Sequence, residues 1–134
     1  MELTPSRIGA RAELEVTAAL IRAGKRVYVP CFAADSRVDL VVENDDGFRR
    51  VQVKSSVLHG DFIRFSSCSN TNRVRLDYRD DVKLIAVYSP ELEQVFVVPV
   101  GDAPARGDHL RLSPPRNNQA RACVYLLAGP LEAN

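Results

Sequence analysis

The chain has 134 residues, with 18 Lys and Arg against 17 Asp and Glu, for a formal charge of +1. That length fits one domain, residues 1–134, built around one core. A content of 46% hydrophobic and 26% charged residues matches an ordinary folded, soluble protein, and argues against wholesale disorder and against a collagen-like, mucin-like or coiled-coil rod.

In chain order, residues Ser6 to Ala23 place Ile8, Ala12, Val16, Ala19, Leu20 and Ala23 at the spacing of one helical stripe, with Arg11, Glu15 and Arg22 along one flank. Gly24 is a natural helix stop. A β-branched run from Arg26 to Pro30 follows. Next come Arg37 to Glu43, the turn signal Asn44-Asp45-Asp46-Gly47, and Phe48 to Ser56, which together predict a hairpin. Further strands are expected at Asp61–Ser66, Val82–Tyr88 and Gln94–Val100, the last two joined by Ser89-Pro90-Glu91. Leu110–Leu112 and Ala122–Leu127 are shorter candidates. Ser67–Arg79 and Gly101–Arg121 read as irregular surface excursions, and long excursions in a small domain tend to be functional.

The longest apolar run, Ala122 to Ala128, falls far short of the roughly 20 residues that span a bilayer. The segment Met1-Glu2-Leu3-Thr4-Pro5 lacks the charged and then apolar regions of a secretory signal. Cys31, Cys68 and Cys123 are odd in number and widely spaced, with no CxxC or Cys/His pattern. They suggest reduced thiols in a cytoplasmic protein rather than a disulfide framework or a zinc site. His59 and His109 stand alone, as solvated side chains rather than metal ligands.

Charge is uneven although the total is nearly zero. Asp35, Asp39, Glu43, Asp45 and Asp46 crowd one stretch, whereas the excursions carry Arg73, Arg75 and Arg79, then Arg106, Arg111, Arg116 and Arg121. An acidic centre between basic loops suits a site that holds a metal and grips a phosphate backbone. Taken singly, each arginine equally well solvates a loop.

The chemistry is concentrated in four residues. Glu13 sits at helical offsets from Gly9, Val16 and Leu20 that place it at the border of the inward stripe. In Val51-Gln52-Val53-Lys54, strand alternation sends Gln52 and Lys54 to one face and the valines to the other. A hairpin closed tightly between Asn44 and Gly47 sets Asp39 opposite Gln52. Mg²⁺ takes oxygen ligands at about 2.0–2.1 Å in near-octahedral geometry. Asp39, the Gln52 side-chain oxygen and the Val53 carbonyl could supply such oxygens, with Glu13 binding directly or through water and Lys54 neutralising charge on a phosphate. The plainer readings are a Glu13 salt bridge, to Lys54 or an arginine, and a polar cross-strand cluster on a solvated sheet face.

Gly9-x-x-x-Glu13, Val38-Asp39 and Gln52-Val53-Lys54 together resemble the motif of the PD-(D/E)xK nuclease superfamily. The likeness is closest to its small group I intron homing endonucleases, which share the Gln variant. It extends through Val51–Ser55, Val87–Glu91, Val97–Pro99, Leu110–Leu112 and Arg116–Gln119. The resemblance implies an α/β (α+β), restriction-endonuclease-like fold with a mixed central sheet flanked by helices. It also implies a Mg²⁺- or Mn²⁺-dependent endonuclease acting on double-stranded DNA as a homodimer or homotetramer, with Glu13, Asp39, Gln52 and Lys54 in the catalytic positions. Val38 stands where the motif has Pro, and Gln52 where it usually has an acid, which removes one negative charge from the site. Arg111, Arg116, Asn117, Asn118 and Gln119 are candidate DNA contacts, because Arg, Asn and Gln pair bidentately with guanine and adenine edges; Asn117-Asn118 also reads as a turn. The alternatives are a structure-specific nuclease of the Holliday junction resolvase type, a restriction nuclease of the Mrr type, and a catalytically silent DNA-binding module of the same fold.

Overall fold

The structure is a computed structural model that describes residues 4–32, 38–65, 68–71, 74–77, 84–99, 108–112 and 124–125. One helix, α1 (Pro5–Arg22), precedes the strands. The Thr4 side chain caps it by accepting from the Arg7 N–H at 3.3 Å, and Pro5 takes the first turn, where its missing N–H costs nothing. At the other end Gly24 N–H bonds Ile21 O at 2.9 Å and Lys25 N–H bonds Leu20 O at 3.0 Å. This closure needs a left-handed residue, and Gly24 supplies it at φ +82°.

The described strands are β1 (Arg26–Tyr28), β2 (Leu40–Asn44), β3 (Gly47–Ser55), β4 (Val57–His59), β5 (Phe62–Phe65), β6 (Cys68–Thr71), β7 (Val74–Asp77), β8 (Leu84–Ser89), β9 (Gln94–Pro99), β10 (Asp108–Arg111) and β11 (Val124–Tyr125). The central sheet runs β1-β2-β3-β8-β9. It is mixed, because β3 and β8 are parallel while the other neighbours are antiparallel. A second sheet runs β11-β10-β5-β4, and β6 pairs with β7.

Alternation along the central strands divides the apolar residues between two cores. On one face Leu40, Val42, Val51, Val53, Ala86 and Tyr88 pack under Ala12, Val16 and Leu20 of α1. On the other, Ile85, Val87, Phe96 and Val98 pack against Ile63, Phe65 and Leu110 of the second sheet. Strand β8 is therefore buried on both sides. The second sheet covers only the β8–β9 half of its face, and the β1–β2 half and the start of β3 stay open: Tyr28 and Phe48, which share that face, are 48% and 62% exposed.

Three details differ from the reading of the sequence. The stretch 67–79, expected to be irregular, contains the β6–β7 hairpin, whose strands are short and mostly polar and so show no apolar alternation. Strand β4 pairs with β5 through a turn at Gly60, with φ +61°, and had no signal of its own. Ile8 is 39% exposed because it borders a cleft instead of the sheet. Among the described residues no helix is long and apolar enough to cross a membrane.

Candidate active site

The β2–β3 hairpin positions the site. Its loop is Asp45-Asp46, with Asn44 paired to Gly47 and Leu40 to Val51, and Gly47 takes φ +123° to close the turn. One step further along this register lies Asp39 opposite Gln52, as the tight loop implies. There the regular ladder between β2 and β3 ends, although Asp39 N–H still reaches Val51 O at 2.9 Å. Strand β3 continues alone beside β8 as far as Ser55 opposite Tyr88.

The Asp39 carboxylate occupies the resulting gap. Its Oδ2 accepts the Val53 N–H at 2.8 Å and the Gln52 Nε2 at 2.8 Å. The N–H and C=O of a strand residue point to the same side, so the Val53 carbonyl also points toward the side that β2 has vacated. Val38, where the motif has Pro, packs its apolar side chain against the core between the two sheets. Lys54 is partly buried and projects to the same face as Gln52, two residues further along β3. This polar row lies at the boundary between the covered and open halves of the sheet face.

Glu13 reaches the cluster from α1, on the opposite side of the sheet. It is more exposed than its place beside the inward stripe suggests. Its carboxyl is nevertheless held above the ordinary glutamate range, first by partial desolvation, then by the negative charge of Asp39 and a hydrogen bond between the two carboxyls. Asp39 thus joins the helix residue to the hairpin residues.

The donor set fits a hard divalent cation. Gln52 is 9% exposed, and its Oε1 is buried without a hydrogen-bond partner. An orphaned buried acceptor costs about 1–3 kcal/mol. Nε2 is anchored on Asp39, and the oxygen of the same amide has no donor. Two adjacent carboxylates, one already reluctant to ionise, share that deficit. All the candidate ligand atoms are oxygens, the preference of Mg²⁺ and Mn²⁺. Among the described residues no group of three or more His, Cys, Asp and Glu gathers anywhere, so a cation here would draw on the Gln52 amide oxygen and a main-chain carbonyl beside the two carboxylates.

The remaining candidates divide. Arg111 lies in β10 and pairs with Asp61 at 3.1 Å. Arg116, Asn117, Asn118 and Gln119 lie outside the described residues. Cys31 is an exposed free thiol, and His59 stacks on Phe62 with ring centroids 5.6 Å apart. The Val53 N–H, which fixes the Asp39 carboxylate, is a feature that side-chain motifs do not show; the shortness of the hairpin loop was the only available signal for it.

Over residues 4–128 the chain matches the PD-(D/E)XK endonuclease family, and it belongs to that family. This is a family of nucleases, with DNA as substrate and divalent metals in general use. The fold is similar to that in the structure of a bacterial homing endonuclease, I-Ssp6803I. The TM-score is 0.70 and the sequence identity 24%, covering 90% of this chain and 86% of that one. No curated protein matches the chain.

Proposed function

We propose that the protein is a Mg²⁺- or Mn²⁺-dependent endonuclease that hydrolyses phosphodiester bonds of double-stranded DNA in the manner of homing endonucleases. The observation that carries this reading is the Asp39–Gln52 contact, which leaves the buried Gln52 Oε1 without a partner beside two carboxylates. Asp39, Gln52 Oε1 and the Val53 carbonyl are the atoms that would hold the cation, with Glu13 beside them. When bound, the cation supplies charge to polarise the phosphodiester and to lower the pKa of a water.

The chain's own residues do the rest. The Val53 N–H and Gln52 Nε2 fix the Asp39 carboxylate in one orientation. Lys54 presents an ammonium toward the charge that develops on the phosphate, a contribution of roughly 10²–10³ in rate for a well-placed group. Arg116, Asn117, Asn118 and Gln119 remain the proposed base contacts. Arg111, in β10 and paired with Asp61, is the one proposed DNA contact that lies among the described residues.

The test is cleavage of linear duplex and of a four-way junction at equal salt, by wild type, Asp39→Asn and Lys54→Ala. Cleavage is expected with Mg²⁺ or Mn²⁺ and not with EDTA. Both substitutions should abolish it while the circular dichroism spectrum stays native. Full activity in both variants removes the mechanism, and clear preference for the junction replaces homing-like action with a resolvase. DNA retention in a gel shift with no product from wild type in either metal identifies a silent binding module.

A further inference from the structure

A second feature lies one residue beyond Lys54. Where β3 and β8 end side by side, their last residues border a cleft of about 530 Å³, and the first turns of α1 overhang it. Crevices at the carboxyl ends of parallel strands are common ligand positions in sheet proteins. One wall is apolar and open to solvent: Ile8 is 39% exposed and Val57 53% exposed, and Pro90 adjoins them. The polar wall consists of Arg11, the Tyr88 hydroxyl and the serines at 55 and 56.

Arg11 is fixed there. Its guanidinium lies 5.6 Å from the Tyr88 ring centroid, and Nη2 donates to the Tyr88 hydroxyl at 3.3 Å. Tyr88 itself is 2% exposed, and its carbonyl receives both the Ser56 N–H at 3.0 Å and the Ser56 hydroxyl at 2.9 Å. Among the described residues no carboxylate pairs with Arg11. The acid nearest in sequence to the cleft, Glu91, is engaged by the Leu58 N–H at 2.9 Å. An arginine has five donors in a planar fork suited to phosphate, and one contact with a hydroxyl leaves most of them for a ligand.

We propose that this cleft grips the DNA backbone next to the cleaved bond, Arg11 binding a phosphate and the apolar wall taking its deoxyribose. The proposal rests on the nuclease reading. Continuity with the site supports it. On α1, Arg11 and Glu13 flank opposite sides of the buried stripe, so the helix reaches toward Asp39 on one side and toward Tyr88 on the other. Gln52 and Lys54 lie on the other face of the sheet from the cleft, and the two faces adjoin at the end of β2, where Glu13 of α1 reaches Asp39.

The test measures the salt dependence of binding to a random-sequence duplex in metal-free buffer for wild type, Arg11→Met, Arg11→Lys and Tyr88→Phe. Loss of one phosphate contact lowers the slope of log K against log salt by about 0.9. Arg11→Met should show that drop, with a roughly tenfold rise in Kd from the missing charge-assisted bond. Arg11→Lys should restore the slope. Tyr88→Phe, which keeps the ring and the fold, should weaken binding several-fold with the slope retained. An unchanged slope in Arg11→Met, with wild type binding normally, overturns the clamp alone. Absence of any salt-dependent binding by wild type overturns the nuclease reading together with it.

Discussion

Glutamine in place of an acid changes the physics of position 52. Its amide nitrogen satisfies Asp39 while its oxygen stays buried and unpaired, so the metal-free site carries one fewer negative charge and one donor that an acid lacks. Gln52→Glu reverses both: the donor to Asp39 disappears and a third carboxylate arrives. Stability at pH 7 without metal should fall by about 1–3 kcal/mol, the usual cost of an unsatisfied buried group, and millimolar Mg²⁺ should restore it. Urea unfolding with and without Mg²⁺ measures this, and equal stability in both conditions would count against a cation at the site. Glu13 gives a separate test through pH. Its folded-state pKa lies above the ordinary value of 4.5. Its contribution is therefore fully present below that value and is lost as pH rises through the folded one. Ionised Glu13 thus disfavours the metal-free fold at neutral pH, and Glu13→Gln should raise Tm at pH 7 while leaving it nearly unchanged at pH values below 4.5. A parallel shift at both pH values would refute the assignment. Much of this site was legible in the sequence, because alternation along β3 and the shortness of the Asp45-Asp46 loop together decide that Asp39 meets Gln52. What was not legible is main-chain and environmental: the Val53 N–H that orients Asp39, and the exposure of Glu13, which depends on how far α1 overlaps the end of β2.

At the level of elements, segments with apolar periodicity formed as expected, and the strands that went unseen are those without it. Helix α1, the β2–β3 hairpin and the β8–β9 pair each present a long apolar stripe or a defined turn, and each formed within a residue or two of its expected bounds, except that β2 begins at Leu40, three residues after the expected Arg37. The β6–β7 hairpin and β4 lack that signal, since a short polar strand is stabilised by backbone pairing and not by a buried face. The parallel pairing of β3 with β8 was also invisible, because it joins segments separated by the four strands β4 to β7. The most sharply defined boundary is the end of α1, where Gly24 at φ +82° closes the helix before β1 begins. Gly24→Ala forces a Cβ into the left-handed region, although nothing within 4 Å obstructs the added carbon. The cost is therefore conformational, about 1 kcal/mol, or a fall of about 4 °C in Tm for a domain of this size. A calorimetric scan showing no change would mean that the helix ends by some other arrangement.

For the molecule as a whole, the decisive fact is that each chain carries one Asp39–Gln52–Lys54 cluster, whereas a duplex has two strands of opposite polarity. A single site can nick one strand, and cutting both in one encounter needs a second copy related by a two-fold axis. The homodimer or homotetramer that the sequence resemblance implies therefore has a kinetic signature that does not depend on seeing the interface. When wild type is mixed with an excess of Lys54→Ala chains and allowed to exchange subunits, most active chains acquire an inactive partner. Each mixed assembly holds one working site, so supercoiled plasmid should accumulate as nicked circle and the linear product should fall with the square of the active fraction. Gel quantitation of nicked and linear forms across a series of mixing ratios reads this directly. A linear product that falls only in proportion to the active fraction would show that chains act independently, each returning to cut the second strand by itself.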